Sequence, residues 1–264
     1  MRLPDGFVPQ LVALDVDDTL ISHNGSVSER VQESIERVQE AGVRVCLATG
    51  RSPSTTLPIA RAAGIDDLVV CSNGGLLVSV ETETTVDSIT FDPRPVLEEL
   101  LQHLPDAVYA VEDTNGMFRA TKVFGAGMLG LSLREVPMEH LLSEPVVRLV
   151  VRSEEHAETG FGDLVEKLGH QSVVFGVSYV AWMDIAGRGV NKSTMLARLC
   201  ERRGYDPARV IAIGDFYNDL DMLRWAGLGV AMGGSPQPVL DAADLVTSSI
   251  PGDGVADVLD AIEV

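Results

Sequence analysis

Asp15 and Asp17 stand in the segment Asp15-Val16-Asp17-Asp18-Thr19-Leu20, directly after the apolar run Leu11–Leu14. In an extended chain, side chains two residues apart lie on the same side, so the two carboxylates converge where a strand ends. Converging carboxylates repel each other and persist only with a cation or a shared proton between them. A hard, all-oxygen site of this kind suits Mg2+. One carboxylate of such a pair can attack phosphorus while the other moves a proton. A polar turn after a strand would use the same residue types, because Asp is common in turns.

Three more segments carry chemistry. Ala48-Thr49-Gly50-Arg51 offers a hydroxyl, an unencumbered backbone N–H at Gly50 and a guanidinium, together a small anion cradle. Thr-Gly is also an ordinary loop pair. Lys192 opens the helical pattern Asn191–Arg203, and the other lysines are Lys122 and Lys167. A lone Lys is most often a solvated surface residue. Gly214-Asp215-Phe216-Tyr217-Asn218-Asp219 puts two carboxylates and an amide in one turn after an apolar strand. Metal ligation is a natural use of Asp215 there, and an Asp/Asn helix cap is the alternative. Asp15, Thr49, Lys192 and Asp215 come from four regions yet would meet at one edge of one sheet. Carboxylates for metal and attack, with a hydroxyl and a cation for phosphate, are the parts that phosphoryl transfer requires.

These residues need a scaffold that gathers strand ends. Leu11–Asp15, Val43–Ala48 and Asp67–Cys71 read as strands, with helices at Ser28–Ala41 and Ser52–Ala63 between them. Ser28 is placed to cap the first helix, Val31, Ile35 and Val38 share one face, and Gly42 ends it. Such alternation predicts an α/β fold with a Rossmann-like, doubly wound parallel sheet, which binds ligands where its strands end. The same grammar returns near the C-terminus in helix Asn191–Arg203, strand Val210–Gly214, helix Asp219–Ala226, strand Leu228–Met232, helix Pro236–Ala242, strand Leu245–Thr247 and helix Gly254–Ile262.

The middle reads differently. Leu76–Val80 and Thr84–Phe91 suggest an antiparallel pair, Pro95–Leu104 a helix, and Val108–Glu112 with Met117–Thr121 a hairpin around Asn115-Gly116. Strand Val146–Arg152, helix Glu154–Leu168 and strands Val173–Val177 and Tyr179–Ile185 follow, and Lys122–Leu133 is a Gly-rich connection. An α+β domain at 82–186 is thus predicted as an insert in a catalytic core built from 1–81 and 187–264.

The chain has 264 residues, ample for two modest domains, with net charge −19 and pI about 4.5. Nucleic acid is therefore not an expected partner, because phosphate backbones need a basic surface. Neither is a membrane: no stretch reaches the roughly 18 apolar residues of a span, and the N-terminal segment lacks a signal-peptide pattern. A cytoplasmic protein, monomeric or homodimeric, is expected. Cys46, Cys71 and Cys200 are odd in number and lack zinc-site spacing, so they read as buried reduced thiols.

Asp-x-Asp-x-Thr, Thr-Gly-Arg, Lys and Gly-Asp-x-x-Asn-Asp, in this order, resemble the motif set of the haloacid dehalogenase superfamily. The long α+β insert resembles the C2B cap of its Cof-type subfamily, IIB. Ser72-Asn73-Gly74-Gly75 and the stretch from Ala226 to Gly233 resemble further stretches of that subfamily. Asp18 stands where Gly is frequent, and Gly234 where Asn is. The resemblance implies a Mg2+-dependent phosphatase acting on a small phosphorylated metabolite, such as a sugar phosphate. Asp15 would be the nucleophile and Asp17 the acid and base. Asp15, Asp215 and the Asp17 backbone carbonyl would hold Mg2+. Thr49, Gly50, Arg51, Lys192 and Asn218 would bind phosphate, and Asp219 would support Lys192. The cap would lie over the site and choose the substrate, with Glu112, Asp113, Arg119, Lys122 and Phe124 as candidates. A phosphomutase with the same nucleophile, or a phosphate- or nucleotide-binding module without turnover, are the competing readings.

Overall fold

All four residues of Leu11–Leu14 are buried, as a strand covered on both faces requires. The computed structural model describes residues 1–21, 25–122, 133–153, 172–177, 180–249 and 253–263, without the side chains of 172–177 and 180–182. Its strands are β1 (Leu11–Leu14), β2 (Arg44–Leu47), β3 (Leu68–Cys71), β4 (Leu76–Ser79), β5 (Thr85–Ser88), β6 (Val108–Glu112) and β7 (Phe118–Ala120). They continue as β8 (Leu133–Glu135), β9 (Arg148–Ser153), β10 (Ser172–Val177), β11 (Val180–Ala186), β12 (Val210–Gly214), β13 (Leu228–Ala231) and β14 (Leu245–Val246). The chain divides into two compact units, Met1–Val86 with Asn191–Val264, and Asp87–Val190.

The first unit holds a five-stranded sheet in the order β14-β13-β12-β1-β2, parallel throughout. Leu11 stands opposite both Val210 and Arg44, so β1 is central and its neighbours come from the two ends of the unit. β3 adjoins through a parallel bridge between Ala48 and Val70 and then pairs antiparallel with β4. Parallel strands end on the same side, and this brings Asp15, Thr49 and Asp215 to one edge. Helix Glu29–Glu40 buries Val31, Ser34, Ile35 and Val38, a stripe of one face, and Ser28 accepts from the Val31 N–H at its start. Helix Lys192–Arg203 begins where the Asn191 side chain accepts from the Thr194 N–H and stops at Gly204, φ 71°. Helix 29–40 packs on Gly254–Asp260, and helix 192–203 on Leu220–Trp225.

The second unit is a six-stranded sheet, β10-β11-β9-β6-β7-β8, antiparallel except where β7 meets β8. One face is apolar: Val96, Leu97 and Leu100 of helix Arg94–His103 pack with Tyr109, Val111, Leu149, Val151, Met183 and Ile185. Ala110, Phe118, Ala120 and Val150 form a smaller cluster. Arg148 is buried and donates to Glu112 (2.7 Å) and Asp184 (2.6 Å), with its guanidinium 5.2 Å from the Phe118 ring centroid. Glu112 thus holds a buried arginine. Asp113 closes the hairpin turn, accepting from Asn115 and Met117 N–H groups.

Differences from the sequence expectation are local. The sequence pattern does not predict β8 or helix Met138–Leu141, and Tyr217–Asp219 forms a tight 3-10 turn ahead of helix Leu220–Trp225. The predicted helix at 154–168, most of the Gly-rich connection and Phe124 lie outside the described residues. The three cysteines are buried thiols. No helix among the described residues is long and apolar enough to cross a membrane.

Candidate active site

Asp15 continues β1 by one residue, its N–H bonded to the Ile213 carbonyl at 2.9 Å, and is buried. Lys192, the first residue of its helix, is wholly buried and donates to Asp15 Oδ1 (2.5 Å) and Asp219 Oδ1 (2.6 Å). Asp219 Oδ2 accepts from the N–H groups of Asp215 (2.9 Å) and Phe216 (3.0 Å). That close approach needs Gly214, because a Cβ there would lie 2.5 Å from Asp219 Cγ. Thr19 donates to Asp215 Oδ1 at 2.9 Å.

The electrostatics follow from the crowding. Burial, then Asp219, push the Asp15 carboxyl well above the usual carboxylate range, against the pull of Lys192. Burial and Asp219 raise Asp215 to about 6, opposed by the Thr19 bond. Burial disfavours the Lys192 ammonium, but Asp15 and Asp219 outweigh it, and its pKa is raised. One cation faces three carboxylates, a deficit that invites more positive charge.

Carboxylate oxygens of Asp15, Asp215 and Asp219 lie within 4.8 Å of one another. An all-oxygen donor set in which Asp15 and Asp215 are held above their normal range fits Mg2+. Asp219 already accepts from Lys192 and two backbone N–H groups, so its part is supporting. The Asp17 carboxylate sits elsewhere, gripped by Arg51, whose Nε donates to Oδ2 (2.8 Å) and Nη2 to Oδ1 (2.6 Å). Hydrogen bonding to Asp17, against burial, raises the Arg51 pKa. The geometry therefore brings Asp15, Lys192, Asp215 and Asp219 into direct contact and pairs Asp17 with Arg51. Thr49 is fully buried, and its hydroxyl oxygen accepts from the Arg51 N–H at 3.1 Å.

A family model described as haloacid dehalogenase-like hydrolase matches residues 12–259. The chain belongs to that family. The hydrolase is similar to phosphoglycolate phosphatase of Archaeoglobus fulgidus, 28% identical over 253 residues that cover 96% of each chain. It is also similar to pyridoxal phosphate phosphatase of Escherichia coli, 26% identical over 94% of this chain and 96% of the relative. A solved structure from Bacteroides thetaiotaomicron, described among phosphatases of the haloalkanoate enzyme superfamily, superposes with a TM-score of 0.79 at 25% identity, covering 98% of this chain and 97% of that one.

Both departures from the family pattern have a backbone reason. Asp18 has φ 56° and Gly234 φ 93°, left-handed values that Gly, Asn and Asp tolerate best. Two further residues of the hydrolase's site carry no distinct signal in the sequence. Thr19 lies within the first motif and holds Asp215. Asn73 accepts from Asn218 Nδ2 at 3.2 Å, and its type signalled only a turn.

Proposed function

We propose that this hydrolase is a phosphatase that dephosphorylates a small metabolite, of the sugar-phosphate kind, through a phosphoenzyme on Asp15. The observation that carries the reading is Lys192, an ammonium without solvent contact, bonded to Asp15 and Asp219. Such a charge is costly to bury unless paired. Here it is fixed beside the oxygen that would meet an incoming phosphoryl group, where negative charge must be neutralised. The named relatives act on phosphoglycolate and pyridoxal phosphate, which differ in everything but the phosphate.

An Asp15 oxygen attacks phosphorus, the bond to the leaving oxygen breaks, and Asp17 gives that oxygen a proton. Water then attacks the phosphoenzyme, Asp17 takes its proton, and inorganic phosphate leaves with Asp15 restored. Arg51 must release at least one of its two bonds for Asp17 to carry that proton. Thr49, Gly50 and Asn218 hold the phosphoryl oxygens, and Lys192 neutralises them. Mg2+, held by Asp15, Asp215 and the Asp17 carbonyl, would supply further positive charge at those oxygens. The inserted domain is proposed to select the leaving group. Phosphate release from a panel of phosphomonoesters with Mg2+ tests the reading, and no release from any of them would overturn it.

Activity should require Mg2+, with Mn2+ as substitute, and Ca2+ should inhibit. Mg2+ holds ligands at about 2.0–2.1 Å in an octahedron, whereas Ca2+ prefers longer bonds and more ligands. Full activity in excess EDTA would remove the metal assignment. Asp17→Asn should slow the first step by about 10²–10⁴-fold, and most for poor leaving groups. Rapid-quench kinetics across esters of differing leaving-group pKa check this, and an equal loss for all would exclude the acid role.

A further inference from the structure

Ser72, Asn73 and Gly74 have φ of 55°, 53° and 95° in succession. Non-glycine residues adopt that region rarely and under strain, which persists only where the surroundings impose it. Ser72 and Asn73 are both buried. The surroundings here are the segments assigned above to phosphate. The Ser72 N–H donates to the Arg51 carbonyl (2.9 Å) and the Asn73 N–H to the Thr49 carbonyl (3.0 Å). A Cβ on Gly50 would sit 3.0 Å from Asn73 Oδ1 and 3.2 Å from Nδ2, so the Asn73 carboxamide lies against the Gly50 peptide. A Cβ on Gly74 would fall 1.9 Å from the Asn191 carbonyl oxygen, at the cap of the helix that begins with Lys192. Asn218 Nδ2 donates to Asn73 Oδ1. One short turn therefore touches three separate parts of the site.

We propose that Asn73 is a positioning residue of the phosphate site: it fixes the carboxamide of Asn218 and backs the peptide at Gly50. The proposal rests on the phosphatase reading. An amide nitrogen carries two hydrogens in one plane. Committing one of them to Asn73 sets the direction of the other, so Asn218 meets the phosphoryl group without first being ordered. Asn73 touches no reacting atom in this scheme and acts through its neighbours. The left-handed backbone carries it into that place, and Asn tolerates such φ better than most residues.

Asn73→Gly keeps a backbone at ease with positive φ and removes the side chain that carries the carboxamide. It should unfold at or above the wild-type temperature, yet lose about 10–100-fold in kcat/KM, with inorganic phosphate inhibiting correspondingly less. Asn73→Asp keeps the acceptor oxygen and should keep Asn218 placed. The decisive readout is the cost of Asn218→Ala in three backgrounds: full in wild type and in N73D, absent in N73G. Wild-type kcat/KM and phosphate inhibition in N73G, or losses that multiply in N73G/N218A, would overturn the proposal. If the wild-type enzyme released phosphate from no ester, the phosphatase reading itself would fall. Thermal shift by inorganic phosphate, compared between wild type and N73G, would then still test Asn73.

Discussion

Asp15→Asn is expected to lower turnover by about 10³-fold or more while leaving the fold at least as stable. The amide cannot attack phosphorus, but its oxygen can still accept from Lys192. Asp15 is held above its usual range by burial and by Asp219, so its ionised form is a strain on the native state. Removing that charge relieves the crowding, as substitutions at functional sites often do. Steady-state assay beside thermal unfolding checks both halves. A variant that kept a tenth of the wild-type rate would take the nucleophile role from Asp15.

Lys192→Met should be the opposite case, losing both activity and stability. The substitution keeps length and removes the one cation between Asp15 and Asp219. Stranding buried carboxylates costs about 3–5 kcal/mol, which corresponds to a fall of about 6–20 °C in Tm. The pH dependence has a definite sign. In the wild type the raised Lys192 pKa means its stabilising charge is fully present below about pH 10.4, and it is lost only as pH climbs through the folded-state value. The variant leaves Asp15 without the cation that restrained its pKa. A carboxyl whose folded pKa is raised binds protons better folded than unfolded, so stability increases as pH falls. The Tm gap to wild type, measured in EDTA, should therefore narrow from pH 8 toward about pH 5. A gap that widened on acidification would mean the stranded charges are not the cause.

Much of this was legible in the chain because the chemistry sits at the ends of apolar runs. Leu11–Leu14 runs directly into Asp15 and Val210–Ile213 reaches Asp215 after Gly214, and a buried strand that ends in a carboxylate has few explanations. Arg51 was harder, because a guanidinium beside Thr49 suits an anion equally well whether the anion is a phosphate or, as in this structure, the Asp17 carboxylate. Asn73 was hidden for a different reason. Its residue type is common in turns, and a positive φ leaves no mark in composition. β8 and helix Met138–Leu141 have 3 and 4 residues, too short for any periodicity to show. In the insert, Glu112 looked available for substrate because nothing local announces Arg148, which reaches it only by strand pairing.

The central place of β1 bears on how the protein is made. One edge of β1 is covered by β2, which follows soon after it, but the other waits for β12. Asp15 and Lys192 are 177 residues apart. At about 5–20 residues per second, a ribosome needs about 9–35 s to deliver the second after the first. Through that interval the apolar edge of β1 is unpaired, the kind of edge that sticks to other chains. The segment Asp87–Val190, by contrast, is continuous and emerges whole within the same interval. On the ribosome the inserted unit can thus finish folding before the two halves around it meet. Refolding from denaturant removes that order, since every segment is present at once, so the two routes should differ in their yield of native enzyme.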